Sequence, residues 1–323
     1  MSIQLQDFGS FYVGGRAVEI HDQPAHLVNM SNQITGFSAN PNGTFLVEQA
    51  YVQYFIPVRL RFETPVLLVH GGGLSGTTWE TTPDGRPGWL QLLLEAGIAT
   101  YVIDNVERGR AGWCSLPGIW SGEPLLRSEP EAWTVYKLGD PLTREPFAGQ
   151  RFPMASVDML MRYTVPRWTT TSEAAQAALE AAIRRIGPCI VIGHSQGGGL
   201  AVRAALQLPD LVKAVVALEP HGLPESLTDR GVENRMLFVL ADFNDKTHIY
   251  AQLAARVRQI VREWPHTELL DLPAAGIFGN SHMMMMDSNG ADVLYLIIAW
   301  LDHILKKGTK KAEYQPWYSA MMR

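Results

Sequence analysis

The chain has 323 residues, 46% of them hydrophobic, and a formal net charge of -5. Those values suit a globular protein with a sizeable core and exclude a disordered or fibrous chain. The acidic balance gives no footing to a nucleic-acid backbone or an anionic membrane, so the expected partner is a small molecule.

The N-terminal stretch to Ser10 lacks the basic start and apolar core of a signal peptide. The cytoplasm is therefore the default location, and a secreted or periplasmic one requires a leader already removed. Neither a repeat nor a low-complexity linker divides the sequence, and one domain over residues 1–323 is the simplest organisation. Phe11 to Ile20 and Phe45 to Ile56 are β-rich and partly alternating, which predicts an antiparallel N-terminal opening of a sheet.

After Pro65 the pattern changes to short continuous apolar runs at 66–69, 99–103, 189–192, 212–218 and 236–240. Parallel strands buried on both faces have this appearance. Helices are expected between several of them. In Ser172 to Ile186, residues Ala175, Ala178, Leu179, Ala182, Ile183 and Ile186 share one face, with Thr170 and Glu173 spaced as a capping box. Such alternation implies an α/β fold with a mainly parallel sheet flanked by helices.

Val66 to Val69 runs into His70-Gly71-Gly72-Gly73-Leu74. A loop of that composition after a strand gives a backbone N-H to a tetrahedral oxyanion. Glycines 71, 73 and 76 also satisfy the dinucleotide-binding spacing. The continuation Thr77 to Gly88 is nevertheless a loop by its Pro and Gly content, not the helix such a turn opens. Residues 106–170 are rich in Pro, Gly, Trp and Arg with little period beyond a short helix at 156–163. They read as a lid or cap insertion.

Cys189 to His194 is a buried strand meeting Gly193-His194-Ser195-Gln196-Gly197, and a good helix follows from Leu200. This strand, turn and helix context marks Ser195 as an activated nucleophile. Glycine at 193 and 197 answers crowding in a tight turn. The helix N-terminus favours the developing negative charge, and the expected oxyanion donors are the N-H groups of Gly72 and Gln196. Cys114 and Cys189 are the only cysteines, and no disulfide between them is expected.

A serine needs a histidine to take its proton and a carboxylate to orient that histidine, in the chain order Ser, acid, His. That order removes His21, His26, His70 and His194. His303 lies inside the last helix and His266 precedes a strand, at the wrong edge of the sheet. His282, between the last strand and the last helix, is the best base, ahead of His221 and His248. Two strands end in carboxylates, at Glu219 and at Asp242 with Asp245 close behind. The commoner arrangement uses the later strand, and local sequence does not choose between them.

The residues resemble the bacterial esterase-713-like branch of the α/β-hydrolases. The matching stretches are His70-Gly71 with Leu74 to Gly76, Trp79 to Trp89, Arg108 to Trp113, Gly193 to Gly197, Glu219-Pro220 and the His282 loop. The resemblance implies a triad acid placed after the strand that follows the nucleophile, a position matched by Glu219, with Asp242 as the alternative. It implies a carboxylic ester, or a lactone, opened through an acyl-enzyme on Ser195. Acyl transfer by the same triad and a non-catalytic binding protein are the other readings. The group's pattern carries adjacent cysteines where this chain has Gly72 and Gly73, so no disulfide supports the loop here.

No cofactor or metal is expected, since the histidines show no paired ligand spacing. Leu74, Trp113 and Met283 are the expected pocket residues, with Trp120, Trp133, Trp168 and Met284 to Met286 as further apolar candidates. Packing of the insertion onto the body explains those tryptophans and methionines equally well. Arg108 and Arg110 are candidates for a substrate carboxylate, against the ordinary fate of a loop arginine in water. Val293 to Leu301, the longest apolar stretch, is too short to span a bilayer. The tail from Lys306, with four lysines and then Trp317 and Tyr318, packs either on the body or on a second subunit, giving a homodimer.

Overall fold

The structure, a computed structural model, describes residues 2–116, 118–225 and 234–306. The tail beyond Lys306 lies outside the described residues. The antiparallel opening is a long pair: β1 (Leu5–Ile20) runs against β4 (Gly43–Pro57), from Leu5 opposite Pro57 to Ile20 opposite Gly43. A short ribbon of β2 (His26–Val28) and β3 (Phe37–Ala39) sits in their connection.

The remaining strands are β5 (Val66–Val69), β6 (Thr100–Asp104), β7 (Cys189–His194), β8 (Val212–Leu218), β9 (Arg235–Leu240) and β10 (Thr267–Asp271). Among the described residues they complete an eight-stranded sheet in the order β1-β4-β6-β5-β7-β8-β9-β10. From β6 to β10 every neighbouring pair is parallel, and β4 joins them antiparallel.

The continuous apolar runs arise because successive residues of each strand feed opposite layers. Val66 and Leu68 of β5 pack into one core with Leu93 of α1 (Trp89–Glu95) and Val293 and Ile297 of α7 (Gly290–Lys306). Leu67 and Val69 enter the other. There they meet Leu179 of α4 (Ser172–Ile186), Leu200 of α5 (Gln196–Gln207) and Val257 of α6 (His248–Glu263). Burial of both faces leaves no polar alternation in the sequence. Among the described residues no helix is long and apolar enough to cross a membrane.

Residues 106–170 hold α2 (Glu129–Val135), α3 (Val157–Tyr163) and two isolated bridges, Leu125 to Arg167 and Gly139 to Pro146. The capping box expected at α4 does not form. Thr170 donates instead to Ser121 O at 2.8 Å, and Glu173 pairs outward with Arg203. The residue before the helix is Thr171, whose hydroxyl donates to Glu107 Oε2 at 3.0 Å and makes no cap bond. The charge-assisted bond to a buried carboxylate fixes the Thr171 rotamer, and its oxygen is not turned toward the N-H groups of the helix end. Both cysteines are free thiols, and burial pushes Cys189 up to about 12.

Candidate active site

β7 ends at His194 and α5 begins at Gln196, so the reversal falls on Ser195 alone, at φ 53° and ψ -117°. The glycines around it are required by close approach. A Cβ on Gly193 would run into the carbonyl of Gly197, and one on Gly197 would meet His70 O at 2.5 Å and Val69 O at 2.6 Å. The strained serine is held by its own peptide groups: its N-H donates to Leu218 O at 2.9 Å, and its carbonyl accepts from Gly198 and His221 at 3.0 Å each. Ser195 faces a cavity of about 340 Å³, whose wall also includes Gly72, Leu74, Gln196, His221 and His282.

His282 and Glu219 meet there, although 63 positions separate them. His282 Nδ1 donates to Glu219 Oε2 at 2.7 Å, and both side chains are buried. Asp242 is not brought to the histidine. Its two carboxylate oxygens accept from Phe243 N at 2.7 Å and Gly279 N at 2.8 Å, so they brace the strand tip instead. Asp245 is exposed and pairs with Lys246.

Sequence reasoning missed Lys137. Its ammonium is fully buried and donates to Glu219 Oε1 at 2.7 Å, Asp242 O at 2.7 Å and Asn244 Oδ1 at 2.9 Å. The other donor to Glu219 Oε1 is Ala241 N-H, at 3.0 Å. Ser195, Glu219 and Lys137 all have positive φ, at 53°, 42° and 55°. Three such residues in one site mark strain that the surrounding hydrogen bonds hold in place. The only local signal was a lysine inside the apolar run Trp133 to Leu138.

Burial, then the nearby His221, Lys137 and Arg127, holds the His282 imidazole well below the usual histidine range. The ring is thus neutral, as a proton acceptor must be. His194, Tyr250 and Tyr136 surround it at ring separations of 4.5, 5.1 and 6.4 Å, and the backbone N-H of His282 donates to Tyr136 O at 3.0 Å. His194 Nε2 in turn donates to His282 O at 3.0 Å.

The glycine loop is fixed from behind. His70 accepts Asn105 N-H at Nε2 and donates from Nδ1 to Gly71 O, and burial beside Arg108 lowers its pKa to about 4. Arg108 is buried rather than solvated. It reaches Gly71 O, Leu74 O, Glu107 and Gln196 Oε1 at 3.2 to 3.4 Å, tying the loop to the elbow. Arg110 is taken by Asp104 and Gln53. Neither is available to a substrate carboxylate. The N-H groups of Gly72 and Gln196 have no acceptor among the described residues.

Of the expected pocket residues, only Leu74 lines the cavity. Trp113 is 58% exposed and lies in a stack with Trp168 and Trp120, whose indole donates to Glu48 on β4. Large aromatic faces here fasten this part of residues 106–170 to the sheet. Met283 is fully buried in the core with Met284, Met285 and Met286, as is Trp133. The Trp79 to Trp89 segment braces the same loop: Arg86 donates to Met286 O and Asp287 O, and Trp89 Nε1 to Gly290 O.

The model of the alpha/beta hydrolase family matches residues 66–322. The chain is 27% identical to the probable secreted lipase phiG of a fungus, Fungal sp. (strain ATCC 74256), over 78% of this chain and 85% of that protein. It superposes on the atomic-resolution structure of a novel bacterial esterase with a TM-score of 0.81 and 29% identity, covering 94% of this chain and 97% of that one. A parallel sheet with a serine at the β7 to α5 turn and a family match over most of its length define the lineage: the chain belongs to the α/β-hydrolase family.

Proposed function

We propose that this protein is a serine hydrolase of carboxylic esters. The observation that carries the reading is the 2.7 Å bond from His282 Nδ1 to Glu219, made by a histidine that lines the same cavity as Ser195. Fixing Nδ1 as the donor leaves Nε2 to accept a proton. His282 then takes the Ser195 proton, and Oγ attacks the ester carbonyl. The N-H groups of Gly72 and Gln196, otherwise without acceptors, receive the oxyanion.

The alcohol departs with the proton from His282, leaving an acyl-serine. Water attacks that ester with His282 again as base, releasing the acid and restoring Ser195. The likeness to one protein named as an esterase and another named as a lipase supports ester chemistry. A fluorophosphonate label followed by peptide mapping tests the assignment. Labelling is expected on Ser195 alone, together with loss of turnover of an activated aryl ester in Ser195→Ala. Full turnover by that variant would falsify the mechanism.

A further inference from the structure

The cavity beside Ser195 holds more positive charge than acyl transfer uses. Arg127, Arg167 and Arg203 line it, and among the described residues no carboxylate does. Two of the three are already neutralised: Arg203 pairs with Glu173 at 3.0 Å and Arg127 with Glu131 at 2.6 Å.

Arg167 has no ion-pair partner among the described residues, and its Nε is buried without a hydrogen-bond partner. Glu107, the nearest acid by its influence, is engaged by Arg108, Trp168 N-H and the Thr171 hydroxyl. Burial pushes the Arg167 guanidinium below its ordinary value, the charge of Glu107 opposing it and that of Arg127 adding to it. An under-compensated, half-buried cation of this kind is costly and is relieved by an anion.

Its placement is specific. A Cβ on Gly72 would lie 2.6 Å from Arg167 Nη1 and 3.4 Å from Gln196 Oε1. The guanidinium therefore lies against Gly72, one of the two residues assigned to the oxyanion, and the missing side chain there makes room for it. The Leu125 to Arg167 bridge, with N-H to O distances of 2.8 and 3.0 Å, anchors its backbone. Guanidinium groups bind carboxylates through paired N-H donors.

We propose that the substrate is an ester bearing a free carboxylate close to the scissile carbonyl, and that Arg167 receives that carboxylate. This rests on the ester-hydrolase reading and names its substrate class. Arg167 is a specificity-determining residue: it orients the ester toward Ser195 and takes no part in the proton transfers.

Binding to Ser195→Ala, measured by calorimetry, tests this without turnover. The probes are methyl hydrogen glutarate against dimethyl glutarate, and O-acetylglycolate against its methyl ester, so that the carboxylate stands on the acyl or the alcohol side. In at least one pair the anion is expected to bind about tenfold tighter, the scale of one charge-assisted hydrogen bond. Adding Arg167→Met should abolish the preference, and Arg167→Lys should keep part of it, with melting curves confirming that each variant folds.

Equal binding of acid and neutral ester in both pairs overturns the inference, as does a preference that survives Arg167→Met. Wild-type hydrolysis of the neutral diesters is scored separately. If they are cleaved without an anion preference, the ester reading stands and this inference falls. If the anion binds with an Arg167-dependent preference and none of the esters is cleaved, the ester reading falls and takes the substrate class with it, leaving Arg167 only as a carboxylate-binding residue.

Discussion

The Glu219 carboxylate accepts from Lys137 and Ala241 on one oxygen and from His282 on the other. One negative charge thus faces a buried ammonium before it faces the imidazole, and this sharing keeps imidazolium from being favoured. Replacing Lys137 by Met returns the whole charge to His282 and raises its pKa. The acid limb of the kcat/KM profile should move up by about one pH unit, because an adjacent opposite charge shifts a group by that order. An unmoved limb would show that Lys137 is a packing residue only. Glu219→Gln should lower kcat by roughly 10³- to 10⁴-fold, the scale for losing a triad acid. Asp242→Asn should instead cost about 1 to 2 kcal/mol of stability through the Phe243 and Gly279 N-H groups, with a far smaller fall in kcat. Ser195 and His282 stood out in the sequence because their signals are local: a strand, a turn and a helix, or a loop between the last strand and the last helix. Glu219 did not, since the rule that a strand-tip carboxylate needs donors applies to Asp242 as well. Lys137 could not, because its partner lies 82 positions away.

At the scale of elements, the parallel strands were legible from continuous apolar runs, and the structure explains the signal by two cores fed from alternate residues. In residues 106–170 only the short helix at 156–163 was legible, observed as α3 (Val157–Tyr163), because the other contacts are made by individual side chains: the Trp113, Trp120 and Trp168 cluster, Tyr136 against His282, and Lys137 against Glu219. No periodic pattern encodes such contacts. The turn from β7 into α5 is the opposite case, since its glycines are dictated by backbone on both sides. Gly197→Ala would press a methyl against His70 O and Val69 O, two carbonyls fixed in or beside β5. It should therefore cost about 1 to 3 kcal/mol or more from overpacking, with loss of activity. Gly276 offers the control: its φ is +80° and nothing lies within 4 Å of a Cβ there. Its replacement by Ala carries only the left-handed strain, about 1 to 2 kcal/mol, and should leave kcat little changed. Urea midpoints and turnover of an activated ester measure both, and equal effects on activity would contradict the steric account of the elbow.

Across the whole molecule, the buried titratable groups set how stability depends on pH. His70, His194 and His282 all have folded pKa values below the ordinary 6.5, through burial first. The unfolded chain binds the extra protons, so stability is present above about pH 6.5 and is lost as the pH falls. For His70 the loss extends down to about pH 4. At about 1.4 kcal/mol per pKa unit, His70 alone contributes on the order of 3 kcal/mol. Asp287 opposes them. Burial raises its pKa from 3.8 to about 7 despite donors from Ser281 and Asn280. The folded state holds that proton longer than the unfolded one, and this contribution is present below about pH 3.8 and lost as the pH rises through about 7. With His221 lowered as well and Glu107 raised beside Asp287, four histidines stand against two carboxylates, and the melting temperature should fall on acidification from pH 7 to pH 5. Asp287→Asn removes one opposing group, so its melting temperature should fall more steeply over that interval than the wild type's. A variant slope equal to or shallower than wild type would place the Asp287 proton elsewhere and leave the other buried groups to account for the whole dependence.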